Sequence, residues 1–392
     1  MLSVPPPVRR VRDGVQAAIS GVQATIRAVE TPVRDDLSAD PYLRYLLALS
    51  LLTAGFGVWF RLPNFAAPDE YSRLIQPMKV AGEFVADQSF DAIQRGITDG
   101  RALGATFYLY AITLAPVFLI VIASGQLGEF ARLGTIQSRW ELWHAAPAWF
   151  WTVSLLLARL VSVALGIGCV YLTYRLATEL RDRFAGRLAA LLLALSVGFL
   201  GQTHVVGEDL AMLFLVLLTT VLAHRYVESG QRRTFLWGSL SGGLAIAFKL
   251  SGGVAAVVLG AALLVRAARS DDPAGELLRP GVVLGGMAIG VVAMYVGIPS
   301  VLVGGPTELL NRASGSISSK TGKTGGFSAP IWYWFAYHYV SGLGAPLFAG
   351  VLGGLAATVW GVVGRREEPT QPLTWLLLVA LLVPLLVYSR WE

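Results

Sequence analysis

Apolar runs of helical length alternate with short arginine-bearing breaks along most of the chain from residue 43 onward. A helix rises 1.5 Å per residue, so about 20 apolar residues cross the hydrocarbon of a bilayer. Runs at 43–62, 160–178, 188–203, 210–227, 235–248, 253–265, 281–298, about 338–362 and 373–389 predict about nine spans. A further apolar run at 105–123 decides the orientation of everything after it. The breaks between later spans carry Arg181, Arg183 and Arg187, then Arg232 and Arg233, then Arg266, Arg269 and Arg279, then Arg365 and Arg366. Lys and Arg stay on the cytoplasmic side, with Arg34 and Arg44 placing the N-terminus there. If 105–123 crossed, those arginine breaks would all lie outside. The run therefore reads as a re-entrant or interfacial helix in a large first external loop, 63–147.

Before the first span, Val8, Val11, Val15, Ile19, Val22, Ile26 and Val29 recur at helical spacing, with Arg9, Arg10, Arg12 and Arg27 elsewhere on the segment. Residues 1–41 thus form a cytoplasmic amphipathic segment that lies on the membrane surface or packs on the protein's own loops. They hold no cleavable signal. Residues 42–392 form one transmembrane domain.

Composition agrees with the pattern: 55% hydrophobic residues, 14% charged, 11 Trp and a mean hydropathy of +0.60 mark an all-α polytopic membrane protein. The net charge of +6 sits in the arginine breaks and sets orientation, so no nucleic-acid partner follows from it. Arg outnumbers Lys heavily, with Lys79, Lys249, Lys320 and Lys323 the only lysines among 31 basic residues, which fits a GC-rich prokaryote and its plasma membrane. One cysteine, Cys169 in an apolar run, excludes a disulfide framework and a thiolate metal site.

The polar residues that break this pattern gather on the predicted outer face. LPNFAAPDEYSR, residues 62–73, places Asp69 and Glu70 just past the first span, with Arg73 following. The turn QTHVVGED, residues 202–209, adds His204, Glu208 and Asp209. Arg159 opens the next span at the outer interface, either at a lipid phosphate or as an interfacial anchor. Lys249 lies between two helices too short to span fully, with SGG after it; such Gly-interrupted segments line a cavity or pack within protein. It points into a cavity or snorkels to the headgroups. SSKTGKTGG at 318–326 fails as a phosphate loop because Ile317 stands where the first glycine is required. Lys320 and Lys323 belong instead to an external loop.

The acidic pair, the long loop with its apolar helix, ARLVSVALG, THVVGEDLAMLF and GGLAIAFKLSGG resemble, in order, the GT-C glycosyltransferases, closest to the protein O-mannosyltransferase and aminoarabinose transferase group. The similarity runs from about Pro41 to Gly260. RALGATFYLY replaces that family's usual Pro-Pro-Leu-Tyr-like approach to the apolar helix. The resemblance implies inverting transfer of a sugar, a mannose-like hexose, from a polyprenyl or dolichyl phosphate carrier. The acceptor hydroxyl, on protein, glycan or lipid, lies at the outer face, and membrane lipids surround the site. It implies Asp69 and Glu70 as catalytic carboxylates, Asp209 or Glu208 as the second acidic position, and Arg159 and Lys249 near the carrier phosphate. It further implies either a short member of that group or one lacking C-terminal helices.

The chemistry needs such groups. A hydroxyl is a poor nucleophile until a carboxylate takes its proton, and Asp69 is the candidate. The leaving phosphate gains charge that fixed cations stabilise: Arg159 and Lys249, with Arg73 and Arg101 in reserve. No cofactor is required, although Asp69, Glu70 and Asp209 suit a divalent cation. His204 is a ligand, an acceptor contact or a hydrogen-bonded turn residue. The competing classes are a lipid or solute transporter or flippase, disfavoured because no inverted repeat of broken helices shows, and an inactive scaffold.

Overall fold

The computed structural model of the protein describes residues 31–99, 104–134, 136, 139–321, 337, 339–364 and 371–388. Among them are helices and turns but no strand. The chain divides into two compact units, Met1–Leu49 and Ser50–Glu392. In the first, a helix over 31–39 stops at Asp40, whose carboxylate accepts the Tyr42 backbone N–H at 3.0 Å. That cap starts α1, Pro41–Gly55, which carries the chain into the second unit. The amphipathic repeat of residues 8–29 lies outside the described residues. The expected first span at 43–62 is helical only to Gly55, and turns follow.

The second unit opens with α2 (Pro68–Ala86), α3 (Phe90–Asp99), α4 (Thr106–Ala123) and α5 (Arg139–Ala145). Pro68 begins α2 at a position where its missing N–H costs nothing, and Asp69 and Glu70 in the first turn complement the helix dipole. A bundle follows: α6 (Ala148–Leu180), α7 (Arg183–Ala194), α8 (Val197–Thr203), α9 (Asp209–Ser229), α10 (Arg232–Phe248), α11 (Val254–Ala268) and α12 (Pro280–Gly297). α6 is apolar all round and, at 33 residues, roughly 50 Å long, more than a bilayer core requires. Asp182 caps α7 by accepting the Ala185 N–H at 2.8 Å, and Gly230, at φ +64°, ends α9 in the left-handed conformation.

Five helical stretches are long and apolar enough to cross a membrane: Thr106–Ala123, Ala148–Leu180, Asp209–Ser229, Leu250–Ala268 and Pro273–Gly297. A sixth arises if α7 and α8, bent by 65° at Leu195 and Ser196, count as one broken span. The protein is a multi-pass, all-α membrane protein. The count of about nine is not reached among the described residues, because α1 has 15 residues and α10 has 17. The apolar helices near the C-terminus, α15 (Ala345–Gly364) and α16 (Pro372–Tyr388), also fall short of the span criterion over their described stretches. The external loop expected around Lys320 and Lys323 is helical up to Thr321, as α13 (Pro299–Gly304) and α14 (Pro306–Thr321). Gly322 and Lys323 lie outside the described residues.

Helix directions put one set of ends together: the start of α9, the end of α10, the start of α11 and the end of α12. The opposite ends carry Arg181, Arg183, Arg232, Arg233, Arg266, Arg269 and Arg279. Within a bilayer, helices associate through close packing rather than exclusion of water, so small residues matter. A Cβ on Gly243 of α10 would lie 2.2 Å from the Gly290 carbonyl of α12, and one on Gly286 would lie 2.5 Å from the Phe235 ring. The α10–α12 contact is therefore backbone against backbone. α4 does not run the length of this bundle. Tyr110 near its start reaches Gly207, and Phe118 further along meets the ring of Phe150 at 5.8 Å, so α4 follows only the first turns of α6. Leu74, Met78, Leu114, Trp151 and Leu155, all fully buried, tie α2, α4 and α6 into one core.

Candidate active site at one end of the bundle

The predicted polar residues converge on the turn between α8 and α9, residues 204–208, and the chain holds that turn from five sides. Glu70 Oε1 accepts the Val206 N–H at 3.3 Å. The Tyr110 hydroxyl donates to the Gly207 carbonyl at 2.9 Å and accepts its N–H at 3.0 Å. Ser162 donates to the Val205 carbonyl at 2.9 Å. Arg73 grips Glu208, and the His204 ring contacts the Thr53 carbonyl at 3.4 Å. Sequence reasoning missed Tyr110 and Ser162. The available signal was position: Ser162 stands one helical turn beyond Arg159.

Three acid–base pairs sort the carboxylates. Glu70 and Arg159 are both 0% exposed and bonded in parallel, at 2.7 and 2.9 Å. Arg159 also donates to the carbonyls of Val58 and Phe60 at 2.8 and 2.7 Å, and Glu70 accepts the Ala66 N–H at 2.6 Å. Arg159, expected at a carrier phosphate, thus has its guanidinium engaged by protein on both sides. Arg73 likewise takes both oxygens of Glu208, at 2.5 and 2.8 Å, with side chains 9% and 11% exposed. Burial is the largest influence and raises the Glu208 carboxyl, but the Arg73 hydrogen bonds together with the charges of Arg73 and Lys249 outweigh it and hold the group below the ordinary carboxylate range.

The third pair is open. Lys249, in extended conformation just after α10, lies 2.5 Å from Asp209 at the start of α9, the side chains being 33% and 40% exposed. Asp69 differs from the other acids. It is exposed, and its carboxylate has no hydrogen bond or ion pair among the described residues, whereas its backbone carbonyl accepts from Ser72. Asp69 and Arg73 are four residues apart on α2 and so share one helix face. One exposed acid therefore stands on the same helical face as a chain of pairs leading through Glu208 to Asp209 and Lys249. Among the described residues no three acids, histidines or cysteines group as a metal site. Arg101 lies outside the described residues.

An apolar groove of about 700 Å³ is lined by α4, α10 and α12, with Phe248, Leu244 and Leu240 on one wall and Val292 and Val296 on another. Its wall residue Phe248 immediately precedes Lys249.

Residues 147–297 match the family model described as dolichyl-phosphate-mannose-protein mannosyltransferase. No curated protein and no solved structure matches the chain. The matched segment carries Arg159, His204, Glu208, Asp209 and Lys249, while Asp69 and Glu70 precede it. Over that segment this membrane protein is similar to the GT-C glycosyltransferases of the protein mannosyltransferase type.

Proposed function

We propose that the protein transfers a hexose, mannose being favoured, from a polyprenyl or dolichyl phosphate to an acceptor hydroxyl with inversion. The observation that carries this reading is the division of labour among the acids of this site: Glu70 and Glu208 are each held by an arginine and Asp209 by Lys249, while Asp69 is exposed and its carboxylate has no partner among the described residues. The carrier's apolar tail lies in the groove of α4, α10 and α12, and its phosphate meets Lys249. Asp69 takes the acceptor's proton as the oxygen attacks the anomeric carbon from the side opposite the phosphate. One displacement by one nucleophile inverts that centre. The sugar–phosphate bond breaks, and Lys249 stabilises the charge that develops on the leaving phosphate. Glu70 with Arg159, and Glu208 with Arg73, brace the turn that presents Asp209.

The arginine-rich ends opposite the site favour an outward-facing site in a plasma membrane, with the N-terminus cytoplasmic. The test is transfer from radiolabelled polyprenyl-phosphate mannose in membranes holding wild type or Asp69→Asn. Removing a general base lowers transfer about 10²- to 10⁴-fold. Equal transfer by the two proteins, both folded, would discard Asp69 as the base; no transfer or donor cleavage by wild type would discard the enzyme.

A further inference from the structure

A second cavity, of about 360 Å³, stands apart from the groove and is lined by Arg61, Asn64, Phe65, Trp140 and Trp143. That volume falls within the roughly 300–1,000 Å³ of small-molecule sites. Its walls come from the turns after α1 and from α5. Trp140 is 70% exposed, yet it faces a concavity shared with a guanidinium, an amide and two further rings. The buried indole N–H of Trp143 has no partner among the described residues. Arg61 is the one non-glycine residue with positive φ among the described residues, at 63°. Strained backbone of this kind clusters at binding sites.

The cavity is firmly joined to the acidic turn. Phe65 packs edge-on against Tyr71 at 5.6 Å and Trp151 at 5.4 Å, and Trp151 donates to the Trp143 carbonyl at 3.0 Å. The next residue, Ala66, donates to Glu70, so Phe65 and Asp69 bracket one hydrogen-bonded turn.

We propose that this cavity binds a carbohydrate chain, and that the acceptor is therefore a glycan; the second clause rests on the glycosyltransferase reading. A sugar ring has an apolar face of C–H bonds and a rim of hydroxyls. Indole faces stack on the first; the Asn64 amide donates to and accepts from the second, and Arg61 donates to it. A serine-rich peptide, without proline or aromatic rings, offers no such ring face. Trp140 and Trp143 close one polar hollow with Asn64 and Arg61.

The experiment is saturation-transfer NMR on the full chain in nanodiscs with mannotriose, maltotriose and arabinotriose. A serine-rich peptide and a short-chain phosphatidylglycerol serve as competing probes, and Trp140→Ala, Asn64→Ala and Asp69→Asn are compared with wild type. At least one trisaccharide binds wild type and Asp69→Asn alike, and Trp140→Ala weakens it about tenfold, as loss of one stacking face implies. Because Trp140 is largely exposed, this variant keeps the wild-type melting temperature, and Asn64→Ala provides an independent second reading. Binding of the peptide or lipid alone, or trisaccharide binding indifferent to both Trp140 and Asn64, overturns the proposal. Glycan binding without any sugar transfer would keep the site and discard the enzyme. With transfer, the same trisaccharide is extended, and Trp140→Ala raises its KM while leaving kcat unchanged.

Discussion

Replacing Arg159 by Met separates a structural brace from a phosphate ligand. The substitution keeps an unbranched side chain but deletes the guanidinium, leaving the Glu70 carboxylate, 0% exposed, without its counter-charge. Breaking a buried pair from one side costs about 3–5 kcal/mol, because the surviving charge is uncompensated. The carbonyls of Val58 and Phe60 lose their donor as well, each at about 1–3 kcal/mol if nothing replaces it. Set against a typical total of about 5–15 kcal/mol, the loss should leave little folded protein. Removing both charges together, as Glu70→Met with Arg159→Met, should recover a large part, since an apolar replacement of a buried pair is often close to neutral. Recovery stays incomplete because the N–H groups of Ala66 and Val206 lose their acceptor. The assay is residual monodisperse protein by fluorescence-detected gel filtration after a temperature series, for both single variants and the double. Strong coupling in that cycle identifies the brace. If Arg159→Met is as heat-resistant as wild type yet fails to bind a polyprenyl phosphate, the reasoning from burial is wrong and Arg159 is a ligand.

Lys249→Met should behave in the opposite way. Its ion pair with Asp209 is partly exposed and contributes at most about 1 kcal/mol, whereas losing a fixed cation at a developing charge costs about 10²- to 10³-fold in kcat; unchanged kinetics would remove it from the mechanism. The Glu208 carboxyl, held low by Arg73, contributes stability that is present above the ordinary carboxylate value and lost as pH falls through its depressed value. Melting temperature should therefore fall on acidification, and less steeply in Glu208→Gln than in wild type. Gly243→Ala drives a methyl to 2.2 Å from the Gly290 carbonyl and should cost about 1–3 kcal/mol. Gly260→Ala, within α11 and with nothing within 4 Å of the added carbon, should be neutral or stabilising by thermal melt.

The helical bundle was legible because apolar length and arginine breaks act locally: 160–178 lies inside α6, and 188–203 became the bent pair α7–α8. The convergence of Asp69, Glu70, Arg73, Glu208, Asp209 and Lys249 at one end also followed from alternating helix direction. What periodicity could not supply was pairing. Glu70 and Arg159 are separated by 89 residues, and Arg73 and Glu208 by 135, so no spacing rule links them. Arg159 read as a phosphate ligand because an arginine beginning a span does sit at interface depth; its burial depends on the turns after α1 folding back to offer two carbonyls. α4 was the other ambiguous element, since apolar length alone cannot tell a span from a helix that accompanies only the first turns of α6.

The sorting of these acids follows from a general constraint. A carboxylate that must accept a proton in a reaction cannot also be held by a bidentate guanidinium, because that partner occupies both of the oxygens that would take it. Glu70 and Glu208 are both held in this way, and their hydrogen bonds run into the backbone of residues 66 and 206 or across to α2. They define the shape of the site. Asp209 retains a flexible single-point partner in Lys249, which an incoming phosphate can share. That leaves Asp69, exposed at a helix start, with no side-chain partner to give up when a hydroxyl arrives. Adjacent acids in the sequence, Asp69 with Glu70 and Glu208 with Asp209, thus divide into one that builds the turn and one left open to a ligand. In each case the member that builds is the one whose side chain is buried.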